Sequence, residues 1–346
     1  MPSVSTRSPF VPKTAKVPVR GAGAVAGLGV GVAAIAVLVV IDVFAPQPLP
    51  GSIPSRLQDG LTLALSVLIE SMPFVALGVG LSILVQVWVP AGVLERWMPR
   101  RAWARRAVLS LLGMVIPVCE CGNVPFARGL LLRGFTVSET LTFLIAAPIV
   151  NPIVIITTHQ AFGFSDGVLV ARLVGGFAVA NLLGWLYSRH PSPDSLLTDR
   201  FRATCEIVGA ETGGRGRRSL AQLIVEFRAV MPALVIGSAL AGAVQVLVPR
   251  DALLAIGSNP LLSIVAMMAL AMVVSICSNV DAFFALSFAA TFTPGSLVAF
   301  LVTGPLVDVK MIALLRTTFT TRTLVGIVAV VLVFAFALGT VVNLLA

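Results

Sequence analysis

Charge is scarce in this chain of 346 residues: 11% of its side chains are Asp, Glu, Lys or Arg, against roughly 25% in soluble domains. With 58% of the residues hydrophobic, that shortage excludes a soluble globular protein. Lysine is rarer still. Lys13, Lys16 and Lys310 are the only three and none follows a Gly, so there is no phosphate-cradling Gly-Lys-Ser/Thr loop, which argues against an ATP motor within the chain. The two histidines, His159 at the end of an apolar run and His190 in a polar loop, supply no His-rich metal cage. Four cysteines do not make a disulfide scaffold in an apolar chain of this size, and Cys119 and Cys121 lie too close together for an ordinary bridge between elements. Cys205 falls in a polar loop and is assigned no role. The net charge of +9 is spread between apolar runs rather than along one amphipathic face. That pattern points to membrane orientation and away from nucleic acid.

Residues 1 to 20 carry Arg7, Lys13, Lys16 and Arg20 and no acid, and are expected to form a basic cytosolic arm. The apolar run at 21 to 45 exceeds the roughly 7 to 15 residues of a cleaved signal, so it is expected to be a retained anchor span. Further spans are expected at Leu61 to Val89, Leu141 to Thr158, Val168 to Tyr187, Leu220 to Val248, Leu297 to Leu315 and Leu324 to Ala346. Two apolar regions are interrupted. Ala107 to Leu132 is broken around Pro117 to Pro125, and Leu261 to Ala290 around Cys277 to Asp281, leaving arms too short to cross a core of about 30 Å. Reading each as a re-entrant hairpin keeps Arg96, Arg100, Arg101, Arg105, Arg106, Arg128 and Arg133 cytosolic. The same reading keeps the Arg-rich linker 189–219 and the later Lys310, Arg316 and Arg322 inside, as the positive-inside rule asks. The N-terminus is then cytosolic and the C-terminus extracytoplasmic.

Met72-Pro73 through Gly78, followed by Val85-Gln86-Val87, recurs as Met231-Pro232 through Gly237 and Val244-Gln245-Val246. Cys121-Gly122-Asn123-Val124 recurs as Cys277-Ser278-Asn279-Val280, and Phe143 to Asn151 as Phe300 to Asp308. Three ordered matches at nearly one offset indicate a duplication, with a first half at 57–188 and a second at 220–346. Three crossings per half invert the second copy. The expected fold is therefore an all-α polytopic membrane protein. It is an inverted repeat in which each half has three spans and one broken re-entrant hairpin, with an extra N-terminal span. Such halves meeting at mid-membrane are a recurring design of secondary transporters.

Broken backbone in hydrocarbon is tolerated only where protein or a wet cavity satisfies it, so the two tips are the expected site. Helix N-termini beginning near Asn123 and Asn279 would favour an anion or a thiolate there. The candidate substrate-binding residues are Cys119, Cys121, Gly122, Asn123, Cys277, Ser278, Asn279 and Asn151. Cys119, Cys121 and Cys277 are candidate ligands of a soft ion. Glu70, Glu120, Asp281 and Asp308 are ionisable groups in apolar surroundings and candidates for coupling to protons or another ion. Asp281 has a second reading as a helix cap. Glu226 with Arg228, and Asp308 with Lys310, are expected as structural ion pairs near the cytosolic boundary. Arg128 and Arg133 are expected to set topology.

The string Cys119-Glu120-Cys121-Gly122-Asn123-Val124-Pro125, with FLIAAPIVNP at 143 to 152, Cys277-Ser278-Asn279-Val280-Asp281 and Gly304-Pro305-Leu306-Val307-Asp308, resembles the ArsP/YraQ-type predicted permeases, the DUF318 or UPF0718 family. The similarity covers roughly residues 57 to 346. It implies a bacterial inner-membrane permease of the kind in which some members export trivalent organoarsenicals. Family members commonly carry Cys-Ser-Cys-Gly where this chain has Cys119-Glu120-Cys121-Gly122, and the carboxylate adds a proton or cation site. The expected function is thus a permease, an exporter of a small thiophilic or anionic solute, with no catalytic residues and no cofactor. Its expected partners are the lipid bilayer, the solute and a coupling ion, with no nucleic acid. The alternatives are a membrane thiol oxidoreductase or metal-handling partner, and a nontransporting scaffold.

Overall fold

The computed structural model describes residues 55–90, 93, 96, 98–116, 118–164, 167–210, 214–247 and 259–345. The basic arm at 1–20 and the anchor at 21–45 lie outside the described residues. Among those described, five helical segments are long and apolar enough to cross a membrane. They are α1 (Ser55–Ile83) with the π-helical turn Leu84–Trp88, α6 (Val168–Ser188), α8 (Arg215–Leu247), α11 and α12 taken together (Pro294–Val307 and Val309–Leu315), and α13 (Thr321–Leu345). The chain is an all-helical polytopic membrane protein.

The remaining helices are short. α2 (Ala102–Leu111) and α3 (Glu120–Leu132) flank the first expected break. α9 (Pro260–Val274) and α10 (Asp281–Leu286) flank the second. A third interruption departs from the sequence expectation of one span over Leu141 to Thr158. There α4 (Val137–Ala146) stops and α5 (Pro152–Phe162) starts anew. Pro148 and Pro152 withhold amide protons from the ladder, and Asn151 caps α5 by accepting the Ile153 amide at 2.9 Å. At about 1.5 Å per residue, neither helix alone crosses a 30 Å core. Asp308 does for α12 what Asn151 does for α5, accepting the Met311 amide, so the run Leu297 to Leu315 is interrupted as well.

Burial separates an inner layer from an outer one. Every residue of α4 and every residue of α11 from Gly295 to Val307 is buried. Only 22% of the apolar window of α13 and 28% of that of α1 are covered by protein, so their apolar faces are left for lipid. α1 packs along α8 and against α3, α4 against α6, and α11 between α9 and α13. The α1–α3 crossing is backbone against backbone. A Cβ on Gly78 would sit 2.8 Å from the Gly122 Cα, and one on Gly122 would strike the Phe74 carbonyl, so neither position has room for a side chain. At Gly237 on α8 an added Cβ would lie 3.2 Å from the Lys310 Cα, so α12 passes close there. The Arg-rich linker is not a loose loop. It contains α7 (Asp199–Ala210), and Phe201 is buried in the core. The Thr198 amide donates to Thr318 O at 2.9 Å, and the Thr320 amide to Leu196 O at 3.0 Å.

Candidate functional site

The first break ends at Cys119, which caps α3 from extended backbone, so the half-helix begins at Glu120, three residues before Asn123. Freed carbonyls in such a break need donors. Val118 O receives two, from Asn123 Nδ2 at 3.3 Å and from Asn151 Nδ2 at 3.2 Å. Asn151 thereby caps α5 and ties the third interruption to the first. The second break turns at Ser275, whose φ of 51° is left-handed, and its half-helix α10 begins at Asp281, two residues after Asn279. Gln245, in the repeated motif on α8, donates to Val274 O at 2.7 Å and satisfies the last turn of α9.

The two breaks meet at Glu120. Its Oε2 accepts the Ser278 hydroxyl at 2.8 Å and the Ser278 amide at 3.4 Å, with Cys277 Sγ at 3.9 Å. Its Oε1 accepts Lys310 Nζ at 3.2 Å. Glu120 and Ser278 are fully buried, and Lys310 nearly so. The ligand atoms of Cys119, Glu120 and Cys277 all lie within 4.8 Å of one another. Cys119 interacts with both other buried thiols, whereas Cys121 Sγ leans on Ser71 Oγ of α1 at 3.4 Å.

The other candidates separate. Gly122 packs against α1 at Phe74. Glu70 is exposed on α1 yet close enough to feel the charges of Lys310 and Glu120. Asp281 lies in a second buried cluster: Arg172 of α6 grips it with two bonds, Nη1 to Oδ1 at 2.9 Å and Nη2 to Oδ2 at 2.6 Å, while Nη1 also donates to Thr158 Oγ1 at 2.8 Å. A third pair joins Arg128 Nε to Glu226 Oε2 at 2.7 Å. Arg128 also donates to Thr317 O at 3.1 Å and lies 4.6 Å from the Phe201 ring centre.

Two expected ion pairs are therefore corrected. Glu226 pairs with Arg128 from α3 rather than with Arg228 two residues away on its own helix, since side chains at that spacing point to different faces. Lys310 donates to Glu120 rather than to Asp308, whose Oδ1 is occupied by its own helix. Arg128 is buried, at 1% exposure. Arg133 donates to the Val85 and Val89 carbonyls, closing the end of the π-helical turn. Sequence reasoning passed over Arg172 and Lys310 as site residues. The signal for Arg172 was there, a lone charge inside the apolar run Val168 to Tyr187. Lys310 was absorbed by the positive-inside count, which cannot tell a boundary lysine from a buried one.

A match to the model of the ArsP_1 family, described as predicted permease, extends over residues 56–344 and takes in both breaks. The chain belongs to this family. It is 36% identical over 273 residues to UPF0718 protein YcgR of Bacillus subtilis, covering 79% of this chain and 93% of the relative. It is 34% identical over 274 residues to a Streptococcus mutans protein whose name carries the words two-component membrane permease complex subunit, covering 78% of this chain and 90% of that one. No solved structure is significantly similar to the chain. This ArsP_1 member brings together Cys119, Glu120, Cys277, Ser278 and Lys310, with Cys121 at Ser71 and with Asn123 and Asn151 at the Val118 carbonyl.

Proposed function

We propose that this permease is a secondary transporter, an exporter of a small thiophilic or anionic solute such as a trivalent organoarsenical, with its binding site where the two breaks meet. One observation carries the reading: residues 157 and 158 positions apart, Cys277 and Ser278 on one side and Glu120 on the other, touch inside the buried interior. Glu120 with Lys310 is the coupling pair, with Glu70 and Asp308 in its field. Asp281 has both oxygens held by Arg172 and acts as a lock between the halves.

An inverted duplication would let the halves exchange inward-open and outward-open shapes around a fixed midplane site. Pro73 inside α1 and Pro232 inside α8, and the caps Asn151 and Asp308 at like places, support it. In that arrangement the tips enter from opposite faces and the C-terminus is extracytoplasmic. The relative named as a complex subunit supports a partner protein for this chain as well.

The test is flux into vesicles reconstituted with folded protein under an imposed proton gradient, offered trivalent organoarsenicals, soft metal ions and small oxyanions. Gradient-dependent flux that is lost in Glu120→Gln but kept in Cys205→Ser is expected. Absence of flux for every solute class, with and without the partner subunit, overturns the reading.

A further inference from the structure

We propose that the meeting point of the two breaks is a site for a soft divalent metal cation, ligated by Cys119 Sγ, Cys277 Sγ and one oxygen of Glu120, and that this cation is the transported solute. The inference rests on the permease reading above and names its cargo. The three ligand atoms come from both breaks, are buried, and lie within 4.8 Å of one another. Bond lengths of about 2.3 Å to sulfur and 2.1 Å to oxygen in a tetrahedral shell ask for ligand separations of about 3.6–3.8 Å. Cys277 Sγ and Glu120 Oε2 already stand at 3.9 Å, so closing the shell from separations of at most 4.8 Å needs side-chain adjustments of about an ångström.

The donor set selects the class of ion. Two thiolates favour zinc, cadmium and their neighbours over the oxygen-loving cations, and a carboxylate oxygen suits a borderline divalent ion better than a monovalent soft one. Charge points the same way. Two S–H bonds give way to two metal–sulfur bonds, and the two protons pass to bulk water with the hydration water that the incoming ion sheds. A divalent ion therefore adds no net charge to the site, while Glu120, Lys310 and Asp308 keep theirs. A monovalent ion would leave the buried site one charge more negative and a trivalent ion one more positive, each costly in apolar surroundings.

The donors nearest the ligands, Lys310 Nζ and the Ser278 hydroxyl and amide, are engaged by Glu120. Asn123 Oδ1 and Asn279 Oδ1, close to the ligands in sequence, are buried oxygens with no hydrogen-bond partner. Each is an acceptor, so it can receive a hydrogen bond or face a positive charge but has nothing to give an anion. Three protein ligands leave the shell open at a fourth position, as in sites where zinc must exchange what it binds. A transported ion has to leave, and an open shell permits it. Cys121 is held at Ser71 and is not one of the three ligand atoms; Cys205 on α7 serves as the internal control.

The experiment titrates purified, reduced and chelator-treated protein with Cd2+ and Co2+. It reads thiolate-to-metal charge-transfer absorbance and the visible bands of tetrahedral cobalt. One ion per chain is expected, with about half of the charge-transfer intensity lost and affinity down about 100-fold in Cys119→Ser and in Cys277→Ser. Cys205→Ser should stay within about threefold of the parent. Glu120→Asp keeps the charge opposite Lys310 and tests the oxygen ligand through the cobalt bands, should Glu120→Gln fail to fold. Absence of thiolate absorbance in folded parent protein overturns the inference, as does absorbance that persists with Cys119 and Cys277 both replaced. A protein that moves another solute but shows no such site sinks this inference and leaves the permease reading standing. A saturable cadmium site without cadmium flux keeps the ligand set and removes the claim that the ion is cargo.

Discussion

Asp281→Leu should destabilise the protein severely, and adding Arg172→Met should restore most of what is lost. Arg172 is fully buried and Asp281 nearly so. Removing the carboxylate leaves the guanidinium with a single bond, to Thr158 Oγ1 at 2.8 Å, and its Nε has no partner to begin with. A charge stranded in this way costs about 3–5 kcal/mol. Arg172→Met strands the carboxylate instead. That carboxylate sits at the first position of α10, where the helix N-terminus offsets up to about 1 kcal/mol, so this single change should fall at the lower end, near 3 kcal/mol. The double variant contains neither charge and replaces both with apolar volume, a substitution that is often neutral within a kcal/mol or so. Unfolding in mixed micelles, followed by helical circular dichroism as denaturing detergent is raised, gives all four corners of the cycle. The coupling energy should exceed 3 kcal/mol, above what an exposed pair delivers. Two modest and additive single effects would refute the claim that this pair locks α6 to α10.

Gly122→Ala should cost about 1–3 kcal/mol through overpacking against Phe74, read as a lower midpoint in the same titration. Gly80→Ala on α1, where an added Cβ meets nothing within 4 Å, should be neutral or stabilising by up to about 1 kcal/mol; equal losses at both positions would argue against the tight α1–α3 crossing. Phe201→Ala should cost about 3–5 kcal/mol although it lies in the polar linker, and a neutral result would mean that α7 does not dock under Arg128. Asn151→Ala removes a helix cap and a donor to the Val118 carbonyl, together about 2–4 kcal/mol; thermal unfolding within 1 °C of the parent would refute both roles. An extracytoplasmic reporter fused after residue 346 should be active, and a cytosolic signal would overturn the inverted arrangement.

Long uninterrupted apolar runs were legible because crossing a bilayer is decided by local composition. Four of them, at Leu61 to Val89, Val168 to Tyr187, Leu220 to Val248 and Leu324 to Ala346, match helices of the structure within a few residues. The breaks at Cys119 and Cys277 were legible for a related reason: proline and polar residues interrupt a helix by what they do to its own backbone. The interruption at Asn151 was missed. Asn151-Pro152 is a cap signal, but the apolar residues on both sides make the run continuous in hydropathy, which is blind to capping.

Membrane residence and the sites of the two main breaks, with the cysteines at them, follow from the order of residues, because propensity, capping and hydropathy are free energies of neighbours along the chain. Which charge meets which does not. Glu120 with Lys310, Arg128 with Glu226 and Arg172 with Asp281 join positions 98 to 190 residues apart. Each charge had a closer or equally plausible partner in sequence. The choice among them is made by helix crossings such as Gly78 on Gly122, which place two chain segments against each other and so determine which buried charge can be neutralised by which.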